Sequence, residues 1–102
     1  MPTGGALALT SAVALPARSG AEVVFTLSAP ARVTVTVVNL AGRPVATVCR
    51  DRLTEVGPQR VLWSGRSDQG TALPSGAYLV RLQAADDQGR QARALARLVL
   101  SR

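Results

Sequence analysis

The sequence predicts an all-β domain, an antiparallel sandwich or barrel of about seven short strands, and three observations carry that expectation. Apolar residues recur with period two, and no window of a dozen residues holds the 3.6-residue spacing of an amphipathic helix. Gly- and Pro-containing turn signals punctuate the chain from Arg18-Ser19-Gly20 to Asp87-Gln88-Gly89. The composition is 47% hydrophobic but only 3% aromatic, so 102 residues must build a single core mainly from Val, Leu and Ala.

A first strand is expected near residues 6–14. The run ALALTSAVAL at 6–15 also has the small-x-small look of a signal cleavage site at Ala12-Val13-Ala14. No basic residue precedes it, Thr10 and Ser11 interrupt it, and it is too short to span a bilayer, so a strand is the better reading and no membrane insertion is expected. A second strand, 21–28, puts Val23, Phe25 and Leu27 on one face. The third, 32–39, alternates most cleanly, with Val33, Val35 and Val37 inward and Thr34 and Thr36 outward. Ala41-Gly42-Arg43-Pro44 turns the chain into 44–50, followed by a short, less regular piece near 52–55. After Val56-Gly57-Pro58, a strand at 59–63 ends on Trp63, and a long corner leads to strands at 77–85 and 91–100. No internal repeat, low-complexity tract or linker is visible, which makes 1–102 one domain.

The last hairpin can be argued further. Tyr78, Val80, Leu82 and Ala84 form one apolar face, and Ala94, Ala96, Leu98 and Leu100 another, with Arg93 and Arg97 on the opposite side. Facing residues of paired strands point the same way, so the position sums must be even. A three-residue loop, Asp87-Gln88-Gly89, satisfies this by pairing Leu82 with Ala94 and Tyr78 with Leu98. That loop length calls for a left-handed residue at its last position, where Gly89 stands. Arg81, Arg93 and Arg97 then face solvent, sharing their side with Leu95 and Val99.

Several chemistries are excluded by what the chain lacks. It contains no His, which removes the usual neutral-pH acid/base and the commonest metal ligand. The lone Cys49 has no disulfide partner and no His to activate it, so it reads as a small apolar residue on a strand. All twelve basic residues are Arg, giving a net charge of +6. They are scattered, and almost no aromatic residues are present for base stacking, so nucleic-acid binding is not expected.

The corner WSGRSDQGTALPSGAYLVRL, residues 63–82, is where a site would lie if there were one. Gly65 and Gly70 have the glycine spacing of a phosphate-binding loop, but Thr71 and Ala72 stand where Lys and Ser/Thr are required, and no helix follows. Asp68 is the corner's only carboxylate, too few for calcium. Ser64, Ser67 and Ser75 lack a base. No catalytic, cofactor or metal site is therefore expected. A structural reading accounts for each residue instead. Trp63 plugs the core edge, Gly65 and Gly70 permit backbone angles forbidden to other residues, and Asp68 closes an Asx-type turn on the loop's own N–H groups. Pro74-Ser75-Gly76 turns into the next strand, where Tyr78 packs inward.

The runs VTVVNLAGRPVATV, VLWSGRSDQGTALPSGAYLVRL and RALARLVLSR together resemble the FlgD-type immunoglobulin-like domain, over roughly residues 20–100. The matching positions are Gly42 and Val45, then Trp63, Gly65, Asp68, Gly70, Ser75, Gly76, Tyr78 and Leu82. Where the family often carries acidic residues, this chain has Ser64 and Ser67, which thins the corner's negative charge. The resemblance implies an Ig/fibronectin-III-like sandwich with no catalytic site, at the surface of or outside a bacterial cell. Two roles follow from it. The first is a C-terminal accessory or sorting module of a larger secreted protein, whose partners are its host protein or the secretion machinery. The alternative is a self-assembling subunit of a cap, filament or sheath, touching neighbouring subunits. Either role requires a protein-binding surface, and Arg81, Arg93, Leu95, Arg97 and Val99 are the candidate face.

Overall fold

A computed structural model, which describes residues 7–18 and 20–101, contains seven strands. They are β1 (Leu9–Ala17), β2 (Gly20–Leu27), β3 (Ala31–Val38), β4 (Pro44–Thr54), β5 (Gly57–Trp63), β6 (Gly76–Ala85) and β7 (Gln91–Leu100). Two antiparallel sheets, β1-β2-β5 and β4-β3-β6-β7, face each other as an Ig-like sandwich. In the constant-type immunoglobulin arrangement the fourth strand pairs with the fifth. Here β4 lies beside β3 instead.

Period-two patterning builds the core. Val23, Phe25 and Leu27 of β2 meet Val33, Val35 and Val37 of β3 and Val80 and Leu82 of β6, all essentially inaccessible to water. Each such side chain contributes about 1.5–3 kcal/mol on burial. The β6–β7 register is the even one, pairing Tyr78 with Leu98 and Leu82 with Ala94. Gly89 has φ +79°, Arg93 and Arg97 are exposed, and Arg81 is half-buried.

The edge strands depart from the sequence reading. Residues 44–50 and 52–55 are one strand, β4, interrupted by register shifts against β3 rather than by a break. Each shift inserts an extra β4 residue. Asp51 sits at one of them with φ +48°, its N–H donating to Thr34 Oγ1 at 3.1 Å. Such bulges twist an edge away from strand addition. The expected start of β1 at residue 6 lies outside the described residues, and the strand runs on to Ala17. A regular β1 would turn Leu7, Leu9, Val13 and Leu15 to one face. A bulge at Ser11, φ +57°, reverses the alternation. Leu9 and Ala14 are buried, whereas Val13 and Leu15 are 46% and 45% exposed.

One turn recurs three times. In Asn39–Arg43, Ser67–Thr71 and Asp86–Arg90 the first residue's N–H donates to the fifth residue's carbonyl, at 2.9, 2.8 and 3.1 Å. The fourth residue is a left-handed glycine, Gly42, Gly70 or Gly89. The first side chain accepts from the backbone N–H groups of the third and fifth residues: Asn39 Oδ1 from Ala41 and Arg43, Ser67 Oγ from Gln69 and Thr71, and Asp86 Oδ1 from Gln88 and Arg90. Asp86 Oδ2 also accepts from Arg90 Nε at 2.6 Å.

Partial desolvation pushes the Asp86 carboxyl upward, but the Arg90 backbone N–H, the Arg90 side chain and the Gln88 N–H hold it below its ordinary value of 3.8. A lowered folded-state pKa adds stability that is present above 3.8 and lost as pH falls through the folded value. Asp86→Asn should keep the turn, because Asn39 does the same work, while flattening the decline of the urea midpoint below pH 4. An unchanged acid profile in that variant would remove Asp86 as its source.

Candidate functional site

The corner between β5 and β6 carries the chain from one sheet to the other. Trp63, the last residue of β5, is buried, and its Nε1–H donates to the Arg66 carbonyl at 3.1 Å. The Arg66 guanidinium in turn donates to the Gly70 carbonyl at 2.9 Å, and Arg66 bridges Ala72 as an isolated antiparallel pair. Gly65, at φ +81°, accepts from Leu73 N–H at 3.0 Å. Gly76 begins β6 at φ +149°. Tyr78, buried two residues later, donates its hydroxyl to the Pro74 carbonyl at 2.7 Å. A Tyr near the start of this strand, bonded back to the corner, is the tyrosine corner of Ig-like sandwiches.

Asp68 does not close the Asx-type turn expected of it. Ser67 Oγ accepts from that loop's N–H groups, and Asp68 reaches across to β4. Its Oδ1 accepts from Thr47 N–H at 2.7 Å and its Oδ2 from Thr47 Oγ1 at 3.4 Å. The bulges explain this: β4 wanders off its ladder with β3, and Asp68 supplies an acceptor for a backbone N–H of that edge. Asp68→Ala should cost about 1 kcal/mol in chemical denaturation. Thr47→Val should cost less, since it keeps the backbone donor.

The corner residues Trp63, Gly65, Asp68, Gly70, Gly76 and Tyr78 thus come together in one connected structure. Arg81, Arg93, Leu95, Arg97 and Val99 lie apart from it, on the outer face of the four-stranded sheet. Thr47, through Asp68, and Gly20, which lies directly against the Trp63–Gly65 backbone, also belong to the corner, and neither carries a local sequence signal for it. Thr47 is an ordinary strand residue with no local signal, and Gly20 looks like one more turn glycine.

Among the described residues no group of three or more His, Cys, Asp or Glu could hold a metal ion, and no helix is long and apolar enough to cross a membrane. Cys49 is buried on β4, its thiol donating to the Val33 carbonyl at 3.7 Å. Burial pushes the thiol above its ordinary 9.0, and the Arg52 charge and a backbone hydrogen bond at Val35 offset only part of this. The thiolate is therefore scarce at neutral pH. At pH 8, a thiol reagent should label native Cys49 at least about 100-fold more slowly than in urea, given both burial and the raised pKa. Comparable rates would show that the edge opens freely.

The family model for the FlgD Ig-like domain matches residues 11–88, a span that includes the whole corner. FlgD from Xanthomonas campestris, whose hook capping is described as essential for flagellar assembly, superposes with a TM-score of 0.67 at 21% identity, over 92% of this chain and 67% of that one. FlgD from P. aeruginosa gives 0.68 at 20% identity, over 88% and 68%. At these identities the superpositions speak to the fold. A search of the curated proteins gives no match. The family match carries the assignment: this chain belongs to the FlgD Ig-like domain family.

Proposed function

We propose that the domain is a non-catalytic assembly module of an exported bacterial protein, a part of a cap, filament or sheath of the hook-capping kind. The family match over residues 11–88 carries this reading. The two solved relatives, both FlgD proteins, favour the assembly role over the sorting role. The structure suits a rigid building block, because many polar groups of the corner are engaged within the domain. β1 pairs with β2 of its own domain along Leu9–Ala17, and the exposed sheet faces are the surfaces the domain offers to neighbours.

The test is to tag the protein in its native host, fractionate the culture, and delete the coding sequence for residues 7–101. The tagged protein should leave the cytoplasm and accompany flagellar hook material, and the deletion should stop hook growth. Retention inside cells whose hooks grow normally would overturn the proposal.

A further inference from the structure

The outer face of the four-stranded sheet is predominantly basic, the one acidic residue of its strands being Asp51 on the β4 edge, which lines a separate hollow with Arg32 and Arg93. Arg32 of β3, Arg81 of β6, and Arg93 and Arg97 of β7 all lie on it, and these three strands contain no acidic residue. Register puts Arg81 directly opposite Leu95, which makes Arg93 and Arg97 its two diagonal neighbours. Diagonal positions of an antiparallel pair are about 7–8 Å apart, within reach of long side chains. The salt bridges among the described residues, Arg60–Glu22 and Arg90–Asp86, involve none of these arginines. Three like charges therefore surround Leu95, which is 63% exposed, beside a surface hollow of about 540 Å³ lined by Arg81, Gln83, Arg93, Ala94 and Leu95.

In the free domain this arrangement is unfavourable twice over, through like-charge repulsion and through a large apolar side chain left in water. A partner bringing carboxylates and one apolar side chain relieves both at once, and Arg is well suited to planar pairing with carboxylate. We propose that Arg81, Arg93 and Arg97 form a docking site for an acidic protein surface, with Leu95 as its apolar centre and Val99 extending the strip. A second copy of this chain is a poor occupant, because the net charge is +6. Nucleic acid is disfavoured because Phe25, Trp63 and Tyr78 are all buried, leaving this face nothing on which to stack bases. The proposal deepens the assembly reading and rests on it.

The test uses fluorescence anisotropy with a labelled peptide in which Glu residues flank a Leu, its Gln-for-Glu counterpart, and a labelled single-stranded oligonucleotide. The acidic peptide should bind, its affinity should fall with salt, and the triple substitution Arg81→Gln, Arg93→Gln, Arg97→Gln should weaken it at least about 10-fold. The control triple Arg18→Gln, Arg43→Gln, Arg52→Gln removes the same charge away from this face and should bind like the native chain. Arg81→Gln alone should raise Tm by about 2 °C at low ionic strength, because it relieves the repulsion. Absence of peptide binding, equal losses in both triples, tighter binding of the oligonucleotide, or a lowered Tm for Arg81→Gln would each overturn the site. Peptide binding that survives alongside a protein retained in the cytoplasm would count against the assembly reading alone. Normal export and hook growth without peptide binding would count against this site alone.

Discussion

Trp63→Ala is expected to destabilise the domain by about 3–5 kcal/mol, a large part of the roughly 5–15 kcal/mol available to a domain of this size. The indole is the largest side chain of the chain and sits 8% exposed at the end of β5. Its direct partner on β2 is Ala21, a small residue that cannot expand into the space the ring would vacate, so the cavity term should be substantial. The substitution also leaves the Arg66 carbonyl without its Nε1–H donor. Trp63→Phe separates the two effects: it refills most of the volume and should cost about 1–2 kcal/mol, mainly the lost hydrogen bond. Urea denaturation followed by circular dichroism is the suitable measurement, because the variants lack the only Trp. A loss below about 1 kcal/mol for the Ala variant would show that the corner does not anchor the core.

Gly20→Ala is expected to cost about 3 kcal/mol, although it adds only one methyl group. A Cβ at this position would overlap the Trp63 carbonyl oxygen, and it would stand 2.9 Å from the Ser64 carbonyl carbon and 3.0 Å from the Gly65 nitrogen. All three are backbone atoms, so no rotamer change relieves the clash. β2 and the start of the corner would have to separate, disturbing the Ala21–Trp63 pairing beside them. Gly42→Ala is the useful contrast. An added Cβ there meets nothing within 4 Å, and the cost should be only the left-handed backbone penalty, about 1 kcal/mol. Equal losses for the two variants in the same denaturation experiment would argue against close approach at Gly20.

Seen together, Gly20 and Asp68 mark where sequence reasoning reached its limit at the candidate site. The identity of the corner was legible, because Trp63, Gly65, Gly70, Gly76 and Tyr78 form a dense, unusual pattern within one short stretch. The partner of Asp68 was not, because Thr47 lies 21 residues away and becomes its neighbour only once β4 has bulged off its ladder. A recurring turn signal is also present in the sequence. NLAGR, SDQGT and DDQGR share an acceptor side chain three residues before a glycine, and each folds into the same turn.

The sequence by itself determined the sandwich, the inward faces of β2, β3 and β6, and the register of the last hairpin. It could do so because alternation and turn chemistry are local: each is decided by residues within about five positions of one another. Only the tertiary structure decided that Val13 and Leu15 face solvent, that β4 is a single bulged strand beside β3, and that Asp68 serves the opposite edge. Those outcomes depend on which strands become neighbours and in what register, and such contacts are made between residues distant in the chain.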